Sequence, residues 1–269
     1  MSADPVPDDL WERIAPLLPA RPARRHRYPG RLPVSDRVAL AGIVYVLRKG
    51  VAWRDVPIQI VGCSGVTAWR RLRDWTEAGV WPRLHEVLLA ELREAGLLDM
   101  DDAAIDGSHV RALKRGDHVG PSPVDRGKPG SKHHLIVDRH GTPLAVALTG
   151  GNRHDVTQLL PLLDAIPPIR GLRGRPRRRP RRPLADRGYD YDKYRRILRR
   201  RGITPRIARR GVAHGSGLGK TRWVVERTFA WLPQFKRLRI RYEICADLHQ
   251  GLLQLACSII CLRRLRTSF

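Results

Sequence analysis

Cysteine is scarce. The 269 residues hold four, Cys63, Cys245, Cys257 and Cys261, and no two form a Cys-x2-Cys pair. That spacing excludes a zinc ribbon or finger. Cys257 and Cys261 stand i, i+4 on an apolar segment, so buried free thiols and a reducing, cytoplasmic location are expected. Long hydrophobic runs are also missing. The longest, Leu252 to Leu262, contains Gln254 and is too short to span a bilayer, so no membrane partner is expected. The opening residues, Met1-Ser2-Ala3-Asp4-Pro5, have neither the basic nor the apolar region of a signal peptide. His109, His133, His134 and His154 do not fall at the spacing of a zinc set. Ser108 lacks a recognisable base and orienting acid. Gly215 to Lys220 lacks the spacing of a phosphate-binding loop and reads as a flexible entry to a helix.

Acidic residues are few as well: 26 Asp and Glu stand against 51 Lys and Arg, a net charge of +25. Such a balance points to a polyanionic partner, and arginine suits phosphates and guanine edges better than lysine does. Charge alone also fits a solvated basic surface or a ribosomal-type protein without catalysis.

Against that background three carboxylates stand out. Asp106 ends the apolar run Ala103-Ala104-Ile105, Asp186 ends Leu184-Ala185, and Glu226 lies in the helical pattern Trp223 to Leu232. Gly107 and Gly188 follow the two aspartates closely. Open α/β sheets place ligand sites at the carboxyl ends of strands. Three convergent carboxylates there would hold hard divalent cations, Mg²⁺ or Mn²⁺. Read on their own, the same residues also fit strand-terminal turns and an ordinary Arg222–Glu226 surface pair. Asp101, Asp102, Asp138, Asp190 and Asp192 are nearby decoys, and Asp138 is explained by the turn that follows it.

The pattern divides the chain into a helical region, residues 1 to 98, and a strand-rich region, residues 99 to 269. In the first, Asp8 or Asp9 caps an opening helix, Ser35 caps a second that Gly50 stops, Ser64 starts a third that runs to Gly79, and Trp81 to Ala95 forms a fourth. Val51 to Gly79 resembles a helix–turn–helix unit. Thr67, Arg70, Arg71 and Arg73 stand beside Trp69, Leu72 and Trp75 as candidate DNA contacts, near Arg24, Arg25 and Arg27.

In the second region strands are expected at Ala103 to Val110, His133 to Asp138, Pro143 to Leu148, Leu184 to Asp186 and Ile203 to Ile207, with a hairpin turn at Arg139 to Thr142. Helices are expected from Asp155 to Ala165, capped by Asn152 or Asp155, and from Asp190 to Arg201. This order is that of an α/β, ribonuclease-H-like mixed sheet with helices on its faces. Arg170 to Pro183 holds eight arginines, three prolines and two glycines. It reads as a mobile linker or as a phosphate clamp beside the active site, with Arg175, Arg177, Arg178 and Arg179 as DNA contacts.

Several strings together resemble the DDE transposases of bacterial insertion sequences, in the insertion-sequence-5 family of the IS4-like group. They are Leu10 to Pro19 with Gly50 to Pro57, Trp69 to Trp81, Ile-Asp-Gly-Ser-His-Val at Ile105 to Val110, Lys132 to Asp155, Leu-Ala-Asp-Arg-Gly-Tyr-Asp-Tyr at Leu184 to Tyr191, and Arg-Trp-Val-Val-Glu-Arg-Thr-Phe-Ala-Trp-Leu at Arg222 to Leu232. The resemblance covers nearly the whole chain and implies a transposase that binds the terminal inverted repeats of its element, cuts DNA and transfers the strand. It implies that Asp106, Asp186 and Glu226 are catalytic and ligate two Mg²⁺ or Mn²⁺ ions per active site. It implies a homodimer or larger assembly on DNA and a cytoplasmic, nucleoid-associated place in a bacterium. The family's third motif, Tyr-x2-Arg-x3-Glu-x6-Lys, keeps Arg222 and Glu226 but has Gly219 and Pro233 at the outer positions, so Arg222, Lys236 and Arg237 are the expected basic contacts to the DNA end. The other readings are a catalytically inactive DNA-binding relative and a nuclease that cuts without joining.

Overall fold

The computed structural model describes residues 5–21, 27, 32–212 and 219–267. The helical region holds α1 (Asp8–Ile14), α2 (Asp36–Lys49), α3 (Ile58–Val61), α4 (Gly65–Glu77) and α5 (Val80–Glu94). The second and third expected starts are built as the sequence indicates. Ser35 accepts a hydrogen bond from Val38 N at 3.3 Å and Ser64 one from Thr67 N at 3.2 Å. Gly50 ends α2 in the left-handed conformation, with φ at 73°. The first start differs: Pro7 occupies the cap position, and Asp8 and Asp9 lie within the first turn, where their charge faces the helix dipole. Asp9 turns outward to pair with Arg266 at the far end of the chain. The short α3 and α4 form the expected helix–turn–helix. Gly65, the first residue of α4, is held against the Trp53 carbonyl so closely that a Cβ would lie 1.6 Å from its oxygen. Arg24 and Arg25 lie outside the described residues, as do most of the residues from Gly215 to Lys220.

The sheet contains β1 (Asp102–Ala112), β2 (Gly120–Pro121), β3 (Pro129–Asp138), β4 (Pro143–Gly150), β5 (Arg182–Ala185), β6 (Arg206–Ile207) and β7 (Ile240–Arg241). Strands β1, β3 and β4 pair antiparallel; β5 and β6 continue from β1 in parallel. That order, three antiparallel strands followed by two parallel ones, is ribonuclease-H-like, as the sequence pattern predicts. The turn Arg139 to Thr142 joins β3 to β4, and Asp138 serves it by accepting from His140 N and Thr142 N at 2.9 and 2.7 Å. The helices are α6 (Leu159–Asp164), α7 (Asp192–Arg200), α8 (Gly219–Trp231) and α9 (Ala246–Arg266).

Several boundaries differ from the sequence reading. The expected helix from Asp155 begins as a tight 3-10 turn, Asp155–Gln158, and neither Asn152 nor Asp155 caps it. Only two residues of Ile203 to Ile207 pair as a strand, and β2 and β7 carry too few residues to show a period in sequence. Strand β1, expected over Ala103 to Val110, runs from Asp102 to Ala112, with Asp106 inside it. The apolar signal stops at Asp106 because polar residues take over where the strand leaves the centre of the core.

One continuous core joins the two regions. It runs from Val6, Leu10 and Ile14 through α2, α4 and α5 to the sheet and α9. Helix α9 is buried nearly all round, including Leu252, Leu255, Cys257 and Cys261. Such a helix is central rather than amphipathic. Cys257 and Cys261 are free buried thiols, as expected, and burial raises the Cys257 thiol to about 12. No helix among the described residues is long and apolar enough to cross a membrane.

Candidate active site

Parallel pairing fixes the heights of the two aspartates. Ala104 pairs with Leu184 in β1 and β5, so Asp106 and Asp186 lie two residues further along at the same level. Strand β5 stops at Ala185, and β7 joins β1 only from Arg111. Between them the edge of β1 is open, and α8 covers this opening. Arg222 reaches from α8 to Asp106, Nη1 to Oδ2, at 2.8 Å, and to Glu226 Oε1 at 3.0 Å. The i, i+4 spacing places Arg222 and Glu226 on one face of the helix. The arginine is therefore shared by two acids and is more than a surface pair. Asp186 is oriented by accepting from Gly188 N at 2.8 Å, and Asp106 by accepting from Gly107 N at 2.8 Å. Burial pushes the Asp106 carboxyl up from its ordinary range, and the charge of Asp186 adds to this. The Gly107 N–H and Arg222 act the other way.

Asp186 is thus brought near Asp106, and Glu226 is joined to Asp106 through the Arg222 ion pairs. Among the described residues no group of three His, Cys, Asp or Glu side chains stands ready to hold a metal ion. The donor chemistry fits a hard divalent cation: all three side chains offer carboxylate oxygen, and two of them, Asp106 and Glu226, already bind a positive charge, the guanidinium of Arg222.

Sequence reasoning missed a second cluster on the other side of β1. Asp155, read as a cap, instead accepts from Lys132 Nζ at 2.9 Å, with His134 Nδ1 3.8 Å away. A Cβ on Gly107 would lie 2.8 Å from Asp155 Oδ1, so the Asp106-Gly107 pair needs its glycine to admit this carboxylate. Tyr189 is buried, its hydroxyl has no hydrogen-bond partner among the described residues, and burial first, then Asp106, Asp155 and Asp186, hold its ionisation up. The signal was present as Lys132, His134 and Asp155 in one matched stretch, but their meeting requires the β3 pleat and the turn after β4.

The expected DNA contacts fare unequally. Arg70 is exposed and forms no ion pair among the described residues. Arg71 lies 3.3 Å from Asp36, and Arg73 pairs with Asp74 at 2.8 Å while covering the Trp69 ring. Lys236 is exposed. Arg237 is not available: it is 5 % exposed, pairs with Glu243 at 2.7 Å, donates to the Val51 carbonyl at 2.9 Å and stacks on Tyr242. It ties the helical region to the sheet rather than facing solvent.

The arginine-rich segment also needs correction as a clamp beside the trio. It enters β5 at Arg182, the end opposite Asp186, where Arg182 binds Asp102 at 2.6 Å and Arg177 binds Asp101 at 2.7 Å. A bridge between Ile169 and Arg177 gives it fixed structure. Arg175, Arg178 and Arg179 remain exposed without ion pairs among the described residues.

A ribonuclease-H-like sheet with aspartates level on neighbouring strands, and a glutamate tied to one of them through an arginine, is an arrangement that resembles those of enzymes acting on nucleic-acid backbones. The chain belongs to the transposase DDE domain family, whose model matches residues 98–261. Residues 6–85 match a second model, DUF4096, assigned to transposases of the IS4/5 family. The chain is 65 % identical over 148 residues, 55 % of its length and 70 % of the relative's, to a protein described as a transposase for insertion sequence element IS402 of Burkholderia cepacia. It is 56 % identical over 119 residues, 44 % of its length and 80 % of the relative's, to an uncharacterised 16.2 kDa protein of the same element. Among solved structures, the Mos1 strand transfer complex is similar at 13 % identity with a TM-score of 0.33, covering 89 % of this chain and 81 % of that one. The fold assignment rests on the strand order.

Proposed function

We propose that the chain is the DNA transposase of a bacterial insertion element, which binds the element's terminal inverted repeats, cuts at their ends and joins the freed 3′-OH to target DNA. The observation that carries this is the level placement of Asp106 and Asp186 on two parallel strands, with Glu226 brought to Asp106 through Arg222. These three carboxylates are the residues to hold Mg²⁺ or Mn²⁺, two ions per site. Bound divalent cations supply charge neutralisation at a phosphate and activation of water.

The protein's own part is positioning. The Gly107 and Gly188 N–H groups fix the orientation of Asp106 and Asp186 before DNA arrives. Arg222 releases its two carboxylates and turns to a backbone phosphate, so that one positive charge is exchanged for another. Residues 1 to 98 form the recognition unit, with Arg70 on α4 as its most available base-reading side chain, and residues 99 to 269 the catalytic unit. Two ends must be held together for joining, so the working complex is a homodimer or larger.

The test is incubation of the full chain with its element's end DNA and Mg²⁺, with cleavage and joining read on a sequencing gel. Cleavage without joining would favour a nuclease, and binding without cleavage an inactive relative.

A further inference from the structure

Past Asp106, β1 continues to Ala112 and opens into a loop that returns through β2 to β3. This loop lies beyond the trio, on the side away from the arginine-rich segment, which enters the sheet at Arg182 opposite Asp102. The hairpin in it folds back toward the site: Ser122 Oγ and His109 Nδ1 lie 3.2 Å apart, and His109 is on β1 close after Asp106.

Three observations set this loop apart. A buried arginine is devoted to its backbone. Arg241 is 1 % exposed and every guanidinium N–H is used. Nη2 donates to the Asp117 carbonyl at 2.6 Å and the Ile244 carbonyl at 2.9 Å. Nη1 donates to the His118 carbonyl at 3.0 Å and Ser131 Oγ at 2.9 Å, and Nε to the Glu243 carbonyl at 3.0 Å. The Ser131 hydroxyl in turn donates to the His118 carbonyl at 2.6 Å. Second, backbone strain gathers here. Among the described residues, the non-glycine positions in the left-handed region are His118, with φ at 57°, and Arg126, with φ at 49°, and both lie in this loop. Such a conformation persists only where the surroundings determine it. Around Arg126 the Gly127 and Lys128 N–H groups close the turn on the Ser122 and Asp125 carbonyls, each at 2.9 Å. Third, cations are in excess. From Arg111 to Lys128 the chain holds five Lys and Arg against two Asp. Lys128 pairs with Asp125 at 3.7 Å. That leaves Asp117 against Arg111, Lys114, Arg115 and Arg126, which are exposed and form no ion pair among the described residues. A mobile basic loop is ordinary solvated surface. A basic loop fixed from beneath holds its cations in place before a partner arrives, which lowers the cost of ordering them on binding.

We propose that the loop between β1 and β3 is a rigid phosphate grip for the duplex leading away from the reacting centre, with Arg115 and Arg126 as its principal contacts and Arg111 and Lys114 beside them. The inference rests on the reading of the chain as a DNA transposase. Duplex DNA is preferred to a small anion because the free cations are spread along the loop rather than gathered on one point. The spacing gives the grip a position. From Asp106 to Ala112, β1 covers roughly 20 Å at 3.3 Å per residue. A duplex rises about 3.4 Å per base pair. A duplex that continues along β1 from a phosphate held at Asp106 therefore meets the loop about six base pairs away.

The test uses the full chain and its element's end DNA, with divalent cations chelated so that only binding is read. Affinity is measured across a salt series for the wild type, Arg115→Gln, Arg126→Asn and the double variant. Asparagine removes the charge at 126 and tolerates left-handed backbone. Each single change should lower the log–log salt slope by about 0.9, the value of one lost phosphate contact, and the double change by about twice that. The free variants should melt at the wild-type temperature, because neither cation has an ion-pair partner to lose; this also reports that they are folded. In a second arm the end duplex carries one neutral methylphosphonate at a time. The wild type should lose affinity when the neutral group stands about six base pairs from the scissile phosphate. The double variant should be indifferent at that position. A wild-type salt slope in the double variant would overturn the grip, as would an undiminished response to the neutral phosphate. Loss of self-association in sedimentation without DNA, with the slope intact, would make the loop a contact between copies and overturn it too. A wild type with no salt-dependent affinity for any duplex would instead remove the transposase reading beneath it.

Discussion

At the carboxyl end of β5 and the open edge of β1, Asp106, Glu226 and Arg222 form one network, and on the other side of β1 Asp155 is matched by Lys132. At the amino end the acids are consumed locally, Asp101 by Arg177, Asp102 by Arg182 and Asp138 by backbone N–H groups, and a surplus of arginine remains. One sheet thus presents an acidic end whose carboxylates are partly compensated, by Arg222 and Lys132, and a basic end where arginine is in excess. A compensated site is quiet until a cation or a phosphate displaces a partner, whereas an uncompensated one attracts polyanions at long range. Net charge in the sequence, +25, cannot show this division. It arises because β1 and β5 run parallel, so that Asp106 and Asp186 share one end while Arg182 and the loop before it share the other.

The largest way to sharpen the contrast is metal removal. Chelating divalent cations should reduce end cleavage by at least about a thousandfold, the scale of losing a principal electrostatic group at a reacting centre. Binding of duplex DNA should persist, since the basic surfaces need no metal. Parallel gel-shift and cleavage assays check both.

Next in size is the buried pair that ties the acidic end to the helical region. Glu243→Ala leaves Arg237 buried without its partner and should cost about 3–5 kcal/mol in denaturant unfolding. His249 also loses the carboxylate beside its Nδ1, 3.3 Å away. A cost below about 1 kcal/mol would show that the two regions do not depend on this link.

A smaller effect is expected at the amino end from His85, whose Nε2–H donates to the Pro143 carbonyl at 2.9 Å and whose basicity burial lowers from 6.5 to about 4. The unfolded chain takes up the proton near pH 6.5 and the folded chain only near pH 4, so His85 costs stability as pH falls through that window and nothing above it. His85→Gln keeps a donor and cannot titrate. Its loss of stability between pH 7 and pH 4.5 should be smaller than the wild type's by about 2 kcal/mol. Identical acid profiles would place the titration elsewhere.

The smallest effect per residue is in the arginine-rich segment. Replacing Arg175, Arg178 and Arg179 by glutamine should lower the salt slope for duplex binding by up to about 0.9 each and leave the preference for the terminal repeat nearly intact. An unchanged slope would leave this segment as surface only.

Much of this was readable in sequence because local chemistry declares itself. Ser35, Ser64 and Gly50 mark helix ends, and the apolar runs before Asp106 and Asp186 mark central strands. Glu226 sits beside the buried stripe of its helix. What could not be read depends on distant partners. Arg237 is charged and follows Lys236 in a basic stretch, and only the fold reveals Glu243 and Val51 around it. Asp155 looks like a cap until β3 brings Lys132 to it. The arginine-rich segment is adjacent to Asp186 in sequence but separated from it by the length of β5.

The central claim is that Asp106, Asp186 and Glu226 form the reacting centre while DNA is gripped elsewhere. Its most direct test measures end-DNA cleavage and end-DNA affinity together for Asp106→Asn, Asp186→Asn and Glu226→Gln in Mg²⁺. All three should lose cleavage and joining while binding the end with near wild-type affinity. Wild-type cleavage by any one of them would contradict its assignment to the site.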